Sequence, residues 1–237
     1  MEWRNVLIFD DINSADYDIY VLDAKINNGV ERDVESISVP GRNGDIHIDN
    51  GRYLNLTVPY TCAIVDRADD TLQAFFARLA SKIGYKRLED SFHPEYFRQA
   101  RFLGAIEPRM FAQRNKGVFD LTFDCKPQKF LKEGEKETAI SGTTTFYNPT
   151  LFPAKPLIKI TGTGTIAVGA SIITVSQNPG NMVIDCDIED AYNSQTKQNY
   201  NSYISVTDGK FPELPSGNTN VIATGLTASV IPRWWTV

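Results

Sequence analysis

Histidine is almost missing from this chain. His47 and His93 are the only two in 237 residues, so imidazole-based metal centres and acid–base relays have little to be built from. Cysteine is nearly as scarce. Cys62, Cys125 and Cys186 stand alone, with no CxxC pair and no histidine at ligand spacing. That excludes a zinc ribbon or a disulfide framework and points to a reducing compartment, with cysteine used as a small apolar residue. Long apolar runs are absent too. The opening MEWRNVLIFDD holds a four-residue apolar run that Asp10 and Asp11 break, far short of a signal or membrane segment. The expectation is a soluble chain with no export signal of its own and no membrane partner. A basic excess is lacking as well: 24 Lys and Arg face 29 Asp and Glu, giving a formal net charge of −5. A nucleic-acid binder needs a basic stripe to displace counterions. No repeat of solenoid length and no low-complexity stretch occurs.

Strand-forming residues fill the space. Phe and Tyr number 13 and 10, and Ile, Val and Thr are frequent, which favours strands over helices. With 42% apolar and 22% charged residues the chain can bury a core, and its length fits one or two domains. The N-terminal part reads as strands at Val6–Phe9 and Tyr17–Leu22, followed by two hairpin signals, Asn43-Gly44 and Asn50-Gly51. Leu54, Leu56, Val58, Tyr60, Cys62 and Ile64 fall on one face of a half-buried strand.

One stretch is helical. Leu72, Phe75, Phe76, Leu79, Ala80 and Ile83 recur at helix spacing, with Asp70 and Gln73 placed as a capping box and Gly84 as the stop. After it Tyr85–Arg98, dense in charge and aromatics, reads as an Ω-like loop. That loop either caps the helix and packs its own aromatics or serves as a contact surface. Strands at Ala100–Ile106 and Val118–Cys125 follow, around a basic tip with Arg109, Arg114 and Lys116. The tip is a solvated hairpin end or a second contact surface. Composition changes beyond Cys125, and the charged, proline-bearing segment that follows reads as a linker or exchange segment with a domain boundary at 134. The remainder is short strands separated by Gly, Pro and Asn, the pattern of an antiparallel sandwich. Its Met182–Ile188 strand, alternating acidic and apolar residues, is expected to face water on one side.

Catalytic constellations are wanting. Asp90, Ser91 and His93 are neighbours in one loop, whereas a triad needs groups converging from separate places. GTGTIAVG lacks the GxGxxG spacing and a following helix, so it reads as turns between strands. Asp185, Asp187, Glu189 and Asp190 have no calcium-loop pattern. Trp234 and Trp235, adjacent in a strand, point to opposite faces, so at most one of them is open to a ligand or neighbour.

Four segments carry a resemblance: PGRNG (Pro40–Gly44), LEDSFHPEYFRQA (Leu88–Ala100), FDCKPQKF (Phe123–Phe130) and IPRWWTV (Ile231–Val237). Together with KPLIKITGTG they resemble the distal tail protein (Dit) family of long-tailed phages and prophages of Gram-positive bacteria, over nearly the whole chain. The resemblance implies a mainly β chain. Residues 1–134 would form a ring-forming β-sandwich with one α-helix and a projecting hairpin, and 135–237 a galectin-like β-sandwich. It also implies a homo-hexameric ring at the virion tail tip, assembled in the host bacterial cytoplasm. The implied partners are the tail tube protein, the tail-associated hub or lysin protein and a receptor-binding protein. DNA would pass through the channel without specific binding, and the acidic balance suits such a conduit. There is no room for the inserted carbohydrate module of some relatives. No enzyme activity, cofactor or metal is expected. Candidate ring-interface residues are Arg42, Asn43, Asp45, Arg87, Asp90, His93, Tyr96 and Arg98, with Arg101 a further candidate for pairing across the boundary. Trp234 and Trp235 are candidates for a ligand or partner. The rival expectation is a carbohydrate-binding module for cell-wall saccharide, resting on the second sandwich and its tryptophans.

Overall fold

The computed structural model describes residues 5–25, 29–65, 68–104, 106–107, 109–111 and 116–237. The chain divides into two compact units, one reaching Lys129 and including Val237, the other Phe130–Thr236.

The first unit is a mainly antiparallel sheet with one helix on it. Its strands lie in the order Ile12–Asn13, Leu7–Phe9, Lys86–Asp90, Tyr96–Phe102, Lys116–Leu131, Leu56–Ile64 and Ile19–Ala24. The expected alternation in Leu56–Ile64 holds, and its inward residues meet those of the neighbouring strand: Val58 faces Phe123, Tyr60 faces Leu121 and Cys62 faces Phe119. All of these are buried. Helix Ala68–Ser81 covers them with Leu72, Phe75 and Leu79, and Phe76 meets Phe119 edge-on at 5.3 Å.

The helix differs from expectation at both ends. It is already running at Ala68, so Asp70 lies within it rather than capping it. An acid so near the N-terminus still favours the helix dipole. The helix stops at Ser81, Ala80 is exposed, and Ile83 is 88% exposed instead of core. Charge holds the C-terminal end: Arg78 bonds Asp11 and Tyr17, each at 3.0 Å, and Lys82 bonds Asp10 at 2.8 Å and also Asp11.

Tyr85–Arg98 is not an Ω-like loop. Lys86–Asp90 and Tyr96–Phe102 pair as a hairpin, with Lys86 opposite Ala100 and Leu88 opposite Arg98. Charge density hid the strand: KRLED offers one apolar residue, Leu88, to mark the inward face. The second strand accordingly begins before Ala100. The tip beyond it is a strand pair at its base, Arg109–Phe111 with Lys116 onward. Arg114 lies outside the described residues.

Among the described residues, strands Arg32–Ile37 and Ile46–Tyr53 pair with each other alone, as a two-stranded ribbon. Asn43-Gly44 sits in their connecting loop. Asn50-Gly51, expected as a turn, is instead an irregularity inside the second strand, where the register shifts between Arg32 and Val34. The Gly51 N–H there donates to Asp49 Oδ1 at 2.8 Å.

In the second unit Leu157–Val168 and Gly217–Ile231 run side by side. Ser171–Val175, Ile204–Val206, Met182–Asp185, Asp190–Asn193, Thr138–Ala139 and Thr143–Asn148 complete the sheet. Ile158, Ile160, Ile166, Val168, Val221 and Val230 are buried in its core. GTGTIAVG reaches a turn only at Gly169, and the rest of the segment is not turn. It continues a strand, with a break in register between Gly162 and Thr165, and a Cβ on Gly164 would lie 2.1 Å from the Thr224 carbonyl oxygen. Met182–Asp185 faces no water: all four residues are buried. Asp185 is covered by Arg233, with Nη1 to Oδ1 at 2.6 Å and Nη2 to Oδ2 at 3.0 Å.

The charged segment beyond Cys125 is ordered structure rather than a loose connector. Lys116–Leu131 continues as strand, Lys132–Glu135 forms a 3-10 helix, and Gly134 is buried. Within the second unit this entry is clasped by the C-terminal segment. The Leu131 N–H donates to the Trp234 carbonyl at 2.9 Å, and the Arg233 N–H to the Gly134 carbonyl at 2.8 Å.

Candidate functional site

Five of the eight proposed interface residues lie on the hairpin Lys86–Asp90/Tyr96–Phe102 and its connecting loop. Asp90 organises that loop. Its Oδ1 accepts the backbone N–H groups of Phe92 and His93 at 2.9 and 3.0 Å, and Tyr96 N–H returns to the His93 carbonyl at 3.1 Å. Aspartate is suited to this because its short side chain reaches its own backbone two residues on. Its other oxygen accepts the Tyr60 hydroxyl at 3.0 Å. Burial, with the Asp90 charge next in weight, raises the Tyr60 pKa well above its ordinary value. His93 lies edge-on to Tyr96 at 6.3 Å, and both are half-buried. Ser91 Oγ accepts the Val6 N–H at 2.9 Å, so Ser91 ties the loop to the segment that leads into strand Leu7–Phe9.

The arginines separate. Arg87 lies over the Phe97 ring at 3.8 Å and ion-pairs with Glu89 of its own strand. Arg101 pairs with Asp124 at 2.7 Å, a carboxylate that also accepts from Asn55 and Tyr85. Arg98 is 6% exposed, so as an expected surface residue it requires correction. Strand alternation explains it: Arg98 stands opposite Leu88 and two residues before Ala100, both buried. Burial lowers its pKa, and burial followed by the Arg98 charge does the same to Lys129.

Arg42, Asn43 and Asp45 are fully on the surface, in the loop joining the ribbon strands. The ribbon adds what sequence reasoning missed. Ile37 stands opposite Ile46, and Ile48 lies two residues on, so the three share one face. They are 40%, 38% and 45% exposed. A two-stranded ribbon is marginal in water by itself, and this face leaves three isoleucines partly open to solvent. The signal was there in the alternation Ile46-His47-Ile48.

Only Trp235 lies in a strand, Trp235–Thr236, and it packs against the same core that holds Trp234. Trp234 is buried at 5% exposure in the second unit's core. Trp235 stacks on Phe152 at 4.5 Å and donates its indole N–H to the Pro153 carbonyl at 3.0 Å. Neither ring stands free as a sugar platform. Among the described residues no three His, Cys, Asp or Glu side chains gather as a metal site.

Neither a protein-family model nor a curated protein sequence matches the chain. Solved structures do. The crystal structure of the SPP1 Dit protein, described as a paradigm of the hub adsorption apparatus in phages infecting Gram-positive hosts, superposes with a TM-score of 0.71 at 14% identity. The match covers 98% of this chain and 99% of that one. This chain has the Dit fold. Two structures of the phage P2 baseplate in its activated conformation match as well. The one with Ca gives a TM-score of 0.53 at 10% identity, covering 97% of this chain and 98% of that one. The one with Sr gives 0.51 at 9%, covering 96% and 97%. Among the described residues the Dit fold here is mainly β with one α-helix, in keeping with the strand-rich composition and the amphipathic stretch.

Proposed function

We propose that this chain is a non-enzymatic structural protein of a phage tail tip or baseplate. Six copies close into a ring that joins the tail tube to the tail-associated hub and the host-adsorption apparatus. One observation carries the reading. At 14% identity the likeness to the SPP1 Dit protein still runs end to end over both chains. A ring of identical subunits needs two unlike, complementary patches on each copy, and such contacts bury on the order of 800 Å² per partner. The apolar ribbon face with the Arg42–Asp45 loop is one such patch, and the half-buried His93 and Tyr96 belong to the other. In this reading residues 1–134 form the ring, 135–237 are a galectin-like lobe, and DNA crosses the channel without specific contacts. The place of work is the virion tail tip, with the tube protein, the hub protein and a receptor-binding protein as neighbours.

Negative-stain microscopy of the purified chain tests this directly, with hexameric annuli as the expected result. A chain that stays monomeric at high concentration, and enters no ring with its tube or hub partners, refutes it.

A further inference from the structure

The ribbon carries two Asn-Gly pairs, Asn43-Gly44 and Asn50-Gly51, and all four residues are exposed. Asparagine is among the chemically labile residues, and glycine after it removes the Cβ that would shield and stiffen the next backbone nitrogen. The chemistry open to such a pair is defined. The glycine nitrogen loses its proton and attacks the asparagine Cγ, the new bond closes a five-membered succinimide, and the side-chain nitrogen leaves as ammonia. Water then adds to either imide carbonyl and opens the ring to aspartate or isoaspartate.

Hydrogen bonding, not exposure, separates the two pairs. Asn50-Gly51 is held inside strand Ile46–Tyr53. The Gly51 N–H, which would have to attack, donates to Asp49 Oδ1 at 2.8 Å. The Asn50 side-chain amide bonds the Asp33 carboxylate across the ribbon. Asn43-Gly44 lies in the loop between the strands, and a Cβ built on Gly44 would meet nothing within 4 Å. Among the described residues no hydrogen bond engages the Gly44 N–H or the Asn43 side chain.

We propose that Asn43 is a site of spontaneous deamidation in the folded chain, with water as the only co-reactant, and that the fold protects Asn50. Each event replaces a neutral amide between Arg42 and Asp45 by a carboxylate, adding one negative charge to a chain already at −5. The isoaspartate product also lengthens the main chain of the loop by one carbon. At a ring contact that change would exclude the altered copy. This consequence rests on the tail-tip reading; the deamidation does not.

The test incubates the full chain at mildly alkaline pH and follows each asparagine by peptide mapping, which separates the aspartate and isoaspartate products. Asn43 is expected to convert at least about tenfold faster than Asn50, where reaction waits for two hydrogen bonds to open. In guanidinium the two rates should come within about threefold of each other, because the same dipeptide is then equally free. Asn28-Gly29, whose asparagine lies outside the described residues, is read in its own peptide. Equal rates in the folded chain overturn the proposal, as does faster conversion at Asn50. A gap that persists in guanidinium overturns it too, since local sequence rather than the fold would then set it. Asn43→Asp separates the consequence from the chemistry. Conversion at Asn43 as expected, with full rings from N43D, supports the modification and counts against the loop's place in the ring contact alone. Conversion with rings lost in N43D supports both.

Discussion

Gly134→Ala is a one-carbon change with a large expected effect. A Cβ built on Gly134 lies 2.4 Å from the Trp234 backbone nitrogen, 3.1 Å from its Cβ and 3.2 Å from its Cα. The nearest of these is backbone, so no side chain can turn aside to make room. Two responses are open. If the clasp is compressed in place, overpacking costs about 1–3 kcal/mol. If the C-terminal segment moves away, the bonds Arg233 N–H to Gly134 and Leu131 N–H to Trp234 are lost at about 1 kcal/mol each. Both routes give about 2 kcal/mol, or roughly 10 °C in Tm for a unit of this size. Fluorescence is a suitable assay, since two of the three tryptophans, Trp234 and Trp235, lie in the clasp. Gly29→Ala is the control, because nothing stands within 4 Å of its added carbon. A G134A chain melting within a degree of wild type, or shifted no further than G29A, would show that the clasp is not a close-packed joint.

Other outcomes follow from the same structure. Arg233→Met strands the Asp185 carboxylate, whose side chain is 9% exposed; since Arg233 itself is 30% exposed, the loss in denaturant unfolding is set at about 2–3 kcal/mol, below the fully buried range. Burial pushes the Asp185 carboxyl up, but hydrogen bonds and charge from Arg233, with the Asp187 N–H, outweigh it and hold the pKa below the ordinary 3.8. Stabilisation from this group is therefore complete above the unfolded value and is lost as pH falls through the folded one, so acid titration below about pH 4 should unfold wild type more steeply than Asp185→Asn. Burial pushes the three thiols up to about 12, leaving on the order of one thiolate in ten thousand at pH 8; a thiol reagent should find none in the folded chain and all of them in guanidinium. Ile46→Asp on the ribbon face should leave the melting curve in place, lying on an exposed residue, while weakening ring assembly about tenfold or more; full assembly in I46D would remove the ribbon from the interface.

Much of the architecture was legible because it rests on periodicity. Leu56–Ile64 and the Leu72–Leu79 stripe repeat so regularly that burial could be assigned before any coordinates. Charge misled where one apolar residue had to mark a strand. Leu88 alone signals the inward face of Lys86–Asp90, and Arg98, whose type suggests the surface, shares that face. Asn50-Gly51 carries the chemistry of a turn, but only the pairing partner decides between turn and bulge. Asp185 reads as a wetted acid until Arg233, distant in sequence, covers it. At the candidate surfaces the Arg42–Asp45 loop was legible from its glycines and polar residues. The isoleucines of the ribbon were not, since exposure of an apolar face is a fact about which neighbours are missing.

The clasp at Gly134 bears on how the second unit responds to force. Leu131 and Trp234 are joined by one hydrogen bond, so the chain enters and leaves that unit at a single point. Tension applied through those two residues falls first on the clasp, and the strands between them stay unstrained until it opens. The lobe is thus a loop tied off at its neck, shielded from traction along the polypeptide.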